Sequence, residues 1–146
     1  MTCVFFYYNL SDRLGATCSL LAQTVAQGKD AIVYAPDPER AQWIDRLLWT
    51  MSPLSFIPHC RADALLAAET PVLIAERPEQ LEALPATHSR QRLFNLDDDV
   101  PPGFTHYTSL IELVGQDLQD RQRARQRAHH YKAIGCKIEN IDKKER

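Results

Sequence analysis

Four cationic side chains, Arg121, Arg125, His129 and Lys132, recur at i, i+4, i+8 and i+11 near the end of the chain. On a helix that spacing puts them on one face, with Ala124, Ala128 and Tyr131 beside them as a narrow, weakly apolar stripe. Like charges one turn apart repel by about a few tenths of a kcal/mol per pair, so such a face needs open solvent or an anionic ligand. Two features favour the ligand: the run has almost no acidic neighbour, and its cations are mainly arginine, whose guanidinium fork grips a carboxylate bidentately. A solvated face that holds nothing is the alternative. Arg123 and Arg127 fall off the face and are expected to be solvated.

Other reactive residue types are present without a pattern that calls for chemistry. The histidines at 59, 88, 106, 129 and 130 offer no i, i+4 pair to hold a metal, and His129 and His130 point to different sides of a helix. Cys3, Cys18, Cys60 and Cys136 form no C-x-x-C pair, which predicts free thiols, with Cys3 and Cys18 on core faces. Asp97, Asp98 and Asp99 lack the alternating spacing of a calcium loop and read as a solvated acidic turn. The turn after the first apolar run, Asn9-Leu10-Ser11-Asp12-Arg13-Leu14-Gly15, has neither a G-x-G-x-x-G fingerprint nor a P-loop lysine, and no serine lies in a G-x-S-x-G elbow. No metal and no cofactor is expected. A nucleotide-binding enzyme and a direct binder of single-stranded nucleic acid are the alternatives to a protein-binding module.

A second segment, residues 47–59, gathers Leu48, Trp49, Met51, Pro53, Phe56 and Pro58. Buried in the core, Trp49 and Phe56 would be ordinary packing. The prolines instead suggest a surface connection, where large aromatics are costly unless a partner covers them, and such aromatics dominate protein interfaces.

The elements that must position these residues follow from apolar spacing. Thr2–Tyr8 reads as a strand buried on both faces, the expected centre of the sheet. Leu14, Cys18, Leu21 and Val25 make one helical stripe, opened by Ser11 or Asp12 and closed by Gly28. Asp30–Ala35 is a strand, Asp37 and Pro38 open a helix with Ala41, Ile44, Leu47 and Leu48 inward, and Pro71–Ala75, Arg92–Leu96 and Tyr107–Val114 are further strands. The cationic run is a helix from about Asp117 to Ile134, stopped by Gly135. Strands alternating with helices over short connections predict right-handed crossovers and a parallel sheet. Residues from Ile138 to Arg146 are mostly polar and expected to fray.

At 146 residues, 45% hydrophobic and 25% charged, the chain fits one α/β domain. No apolar stretch approaches the roughly 20 residues that cross a bilayer, and the start lacks a secretory pattern, so a cytoplasmic protein is expected. The net charge of −2 hides a division: residues 1–120 carry eight basic and sixteen acidic residues, residues 121–146 nine basic and three acidic. Such a body repels duplex DNA while its basic element can still hold a short acidic peptide.

These segments resemble the chi subunit of bacterial DNA polymerase III. The resemblance spans nearly the whole chain: the aromatic first strand, the helix ended by Gly28, Leu48-Trp49-Thr50 with Pro53, Ser55, Phe56, Pro58 and His59, Pro71-Val72-Leu73-Ile74, Asn95-Leu96, Ala124-Arg125 with Arg127, and Tyr131-Lys132 with Gly135. It implies a single-domain, Rossmann-like three-layer fold with a mostly parallel central sheet and no catalytic activity. It further implies a bridge in DNA replication between the clamp loader, reached through the psi subunit, and the acidic C-terminal tail of single-stranded DNA-binding protein. The tail site would comprise Val114, Arg121, Arg125, His129, Tyr131, Lys132 and Gly135. The psi surface, which an alternative helicase partner also uses, would comprise Leu48, Trp49, Pro53, Phe56 and Pro58. Two positions depart from the family: Ala128 where an aromatic is common, and His129 where arginine or lysine is common.

Overall fold

The computed structural model describes residues 2–50, 58–62, 64, 70–82 and 90–142. In chain order its elements are β1 (Cys3–Leu10), α1 (Arg13–Ala26), β2 (Ala31–Tyr34), α2 (Pro38–Thr50), β3 (His59–Arg61), β4 (Val72–Ala75), α3 (Pro78–Glu82), β5 (Arg92–Asn95), a short 3₁₀ turn at Phe104–His106, β6 (Ser109–Gly115), α4 (Leu118–Ala133) and β7 (Lys137–Asp142). The strands form one parallel sheet in the order β3-β4-β2-β5-β6-β1-β7.

Unbroken apolar strands are stable where helices cover both faces of the sheet. All of β2 and β4 is buried, with side chains alternating between two cores. Val33, Phe94, Leu113 and Ile74 pack with Cys18 and Leu21 of α1 and Ile44 and Leu48 of α2. Val4, Phe6, Ile32, Leu93 and Leu110 pack on the other side with Phe104, Tyr107 and, from α4, Ala124 and Tyr131. This is a three-layer α/β domain.

The helix ends follow local rules. Asp12 caps α1, its carboxylate accepting from Gly15 N–H at 3.0 Å, and Asp37 accepts from Glu39 N–H at 3.0 Å at the start of α2. Past the end of α4, Gly135 adopts φ 90°. There Gly135 N–H bonds to the Lys132 carbonyl and Cys136 N–H to that of Tyr131, both at 3.0 Å, which closes the helix as a Schellman turn.

Two expectations are corrected, and one strand is new. The first strand, β1, is not central but second from one edge, and Phe5 and Tyr7 on one of its faces are only partly buried. Residues 138–142, expected to fray, form most of β7, which pairs in parallel with β1 from Cys3↔Lys137 to Tyr8↔Asp142, and residues 143–146 lie outside the described residues. The short β3, beside β4 at the far edge, had no counterpart in the sequence reading. Of the cysteines, Cys18 is buried and Cys3 half-buried, and all four are free.

Candidate functional site

Alternation along β6 turns Ile111 and Leu113 toward α1, and Leu110, Glu112 and Val114 toward α4. A carboxylate is thereby placed in the core beneath a helix, where it must find partners. Glu112 is completely buried. Arg127 Nη2 of α4 lies 3.1 Å from its Oε1, the Tyr131 hydroxyl donates to Oε2 at 2.5 Å, and Asn95 Nδ2 on the neighbouring strand donates to both oxygens. Burial pushes the Glu112 carboxyl above its usual range, and Arg127, Tyr131 and Asn95 pull it back. The Tyr131 phenol is pushed up by burial and by the Glu112 charge.

This polar cluster fixes the rotation of α4 about its axis. With Ala124, Arg127 and Tyr131 turned inward, helical periodicity assigns each flank its residues. On one flank Arg127 Nη1 donates to the Asp98 carbonyl at 2.7 Å and Arg123 pairs with the Asp98 carboxylate at 3.0 Å, which Arg40 and Arg13 also approach, at 3.4 and 3.9 Å. On the other flank Arg121, Arg125 and Ala128 border an open groove of about 450 Å³. Phe6 and Tyr8 of β1, Val114 of β6 and Ala124 supply its apolar surface, with Asn9 and Asn140 completing the lining. The lining contains two arginines and no carboxylate. Arg125 is exposed and makes no ion pair or side-chain hydrogen bond among the described residues.

The structure therefore brings Val114, Arg121 and Arg125 together around one groove. His129 and Lys132 are exposed further along the same helix, and Gly135 terminates it. Tyr131 is entirely buried, so it supports α4 from beneath and offers a ligand no surface. Of the two arginines expected to be solvated, Arg123 is exposed as it pairs with Asp98, whereas Arg127 is only 5% exposed and donates to the Asp98 carbonyl. That turn, expected to be solvated, is held by arginines. Sequence reasoning missed Phe6, Tyr8, Asn9 and Asn140, whose part in the groove depends on how β1 and β7 pair. It also missed Glu112, although one glutamate in an otherwise apolar strand was a usable signal.

At the second segment Leu48 is 2% exposed and belongs to the core rather than to a surface. Trp49 is 59% exposed, so the alternative of a buried aromatic does not hold for it, and its ring meets that of buried His59 edge-on at 5.3 Å between centroids. Pro58 is exposed. Pro53 and Phe56 lie outside the described residues. Trp49 belongs to the α2 layer and the groove to the α4 layer, on opposite faces of the sheet.

Fold and groove together define a three-layer α/β module with a cation-rimmed, apolar-floored groove beside its last crossover helix. The family model described as DNA polymerase III chi subunit, HolC, matches residues 1–139. Over 144 residues, 96% of each chain, the sequence is 29% identical to the DNA polymerase III subunit chi of Pseudomonas aeruginosa. It is 25% identical over 126 residues to that of Haemophilus influenzae, covering 85% of this chain and 84% of that one. The subunit chi of Escherichia coli is 25% identical over 121 residues, 83% and 79% of the two chains. The chain belongs to the DNA polymerase III chi subunit family, accessory subunits of DNA replication.

Proposed function

We propose that the groove beside α4 captures the acidic C-terminal tail of single-stranded DNA-binding protein, that the Trp49 face joins psi, and that the chain is a non-catalytic bridge between them. The observation that carries this reading is the groove lining: two arginines with no carboxylate among them, set over Val114, Phe6 and Tyr8. Acidic side chains of the tail are drawn to Arg121 and Arg125, and a terminal apolar side chain settles on the floor between them. Coulombic steering speeds capture and weakens with salt. An exposed tryptophan on the other face of the sheet suits a separate apolar contact, so both partners can be held at once. A helicase using that same face would compete with psi.

Calorimetry with the tail peptide tests the reading. With the guanidinium–carboxylate pair desolvated in the complex, Arg125→Ala should weaken binding by about 2 kcal/mol or more, and Trp49→Ala should abolish co-purification with psi while tail affinity stays as in the parent. Unchanged tail affinity in Arg125→Ala would sink the groove assignment. Nucleotides should not raise the melting temperature, whereas a clear shift would revive the enzyme alternative.

A further inference from the structure

Asn9 stands at the end of β1 in the left-handed region, φ 62°, a conformation asparagine tolerates better than other residues bearing a side chain. The pairing of β1 with β6 is irregular between Tyr7 and Leu10, so Asn9 leaves the alternation of the strand and faces the mouth of the groove. Its side-chain oxygen accepts from Arg121 Nη2 at 3.0 Å, and its side-chain nitrogen donates to Asp142 Oδ1, the last residue of β7, also at 3.0 Å. Its backbone carbonyl accepts from Gln116 Nε2 at 3.3 Å, just ahead of α4. A guanidinium can only donate and a carboxylate only accept, so the side chain bridging them must do both. The asparagine amide does; an aspartate here would lose the donor and face Asp142 with like charge.

We infer that Asn9 is a positioning residue for the groove, an amide clasp through which the end of β7 holds Arg121 ready for an acidic ligand. The inference rests on the acidic-peptide reading of the groove. One guanidinium N–H is given to Asn9 and the others are left for the ligand. A long side chain fixed in advance loses less conformational freedom on binding, and that difference appears as affinity.

Asn9→Gly tests the clasp, because glycine keeps the left-handed backbone and removes only the amide. The probe is an oligo-aspartate peptide ending in phenylalanine with a free carboxylate, titrated calorimetrically into the full chain. The clasp predicts affinity about fivefold weaker in Asn9→Gly, a loss in the same direction in Asp142→Ala, and no further loss when Asn9→Gly is added to Arg121→Ala. Asp142→Ala changes no residue of β1 and keeps the left-handed Asn9, so it carries the test even if Asn9→Gly fails to fold. If Arg121→Ala weakens binding while Asn9→Gly and Asp142→Ala bind as the parent does, the clasp is wrong and the groove reading stands. An equal loss from Asn9→Gly with and without Arg121 would overturn the positioning role. If Arg121→Ala itself binds normally, the groove reading fails and takes the clasp with it.

Discussion

Glu112 carries a cost that only its neighbours offset. A carboxylate in a core is tolerated where its charge is paired and its oxygens are filled, and here Arg127, Tyr131 and Asn95 do both. Removing one partner is worse than removing the pair, because it strands the other charge. Arg127→Ala should therefore destabilise the domain by about 3 kcal/mol or more, while Arg127→Met combined with Glu112→Leu should recover most of the loss. Urea denaturation of the parent, the single variant and the double variant measures this. A single variant as stable as the parent would mean that Glu112 is neutral and needs no counter-ion. The same residues show the limits of a linear reading. Arg127 is one of four arginines spaced two apart, and the wheel assigns it to the unused side of the cationic face. The identity of residue 112, on the strand beneath α4, turns that side into an ion-paired core contact. Arg121 and Arg125 could be placed on one helical face because their spacing alone, one turn apart, puts them there.

At the scale of elements, legibility followed the strength of the local signal. The helices α1, α2 and α4 were readable because each has a stop signal, a cap or both: Asp12 and Gly28, Asp37 with Pro38, and Gly135. The strands β2, β4, β5 and β6 are short apolar runs and were readable too. The two edge strands were not. In β7 the half-buried residues are Ile138 and Ile141, three apart, which breaks the two-residue alternation, and its other side chains are exposed and polar. Its pairing comes from β1, outside its own sequence. The place of β1 in the strand order is likewise a long-range property, so a run of aromatics was mistaken for a central strand. The terminus of α4 allows a direct test of a local rule. A Cβ on Gly135 would meet nothing within 4 Å, so the cost of Gly135→Ala is that of the left-handed backbone alone. That cost is about 1 kcal/mol, and denaturant midpoints should report it; a variant as stable as the parent would show that the Schellman turn has an alternative closure.

For the whole molecule, the sheet separates two surfaces and shields a set of weak acids. Trp49 projects from the α2 layer and the groove opens beside α4, with the packed strands of the sheet between those layers. Within those layers, burial pushes the Cys18 thiol from an ordinary 9.0 up to about 11 and the Tyr107 hydroxyl from 10.0 up to about 12, and it raises Tyr34 and Tyr131 as well. Each of these groups is neutral in the folded domain at pH values where the unfolded chain has begun to lose the same proton. Above about pH 9 the unfolded state therefore binds fewer protons than the folded one, and stability falls as pH rises. The contribution is fully present below the unfolded values and disappears as pH climbs through the folded ones. Urea midpoints measured at about pH 8 and about pH 10 should decline, with Cys18→Ala removing the earliest part of the decline because the thiol has the lowest ordinary value of the set. A midpoint that holds steady or rises over that interval would mean that these groups reach solvent in the folded state, and that the two cores are less closed than their burial indicates.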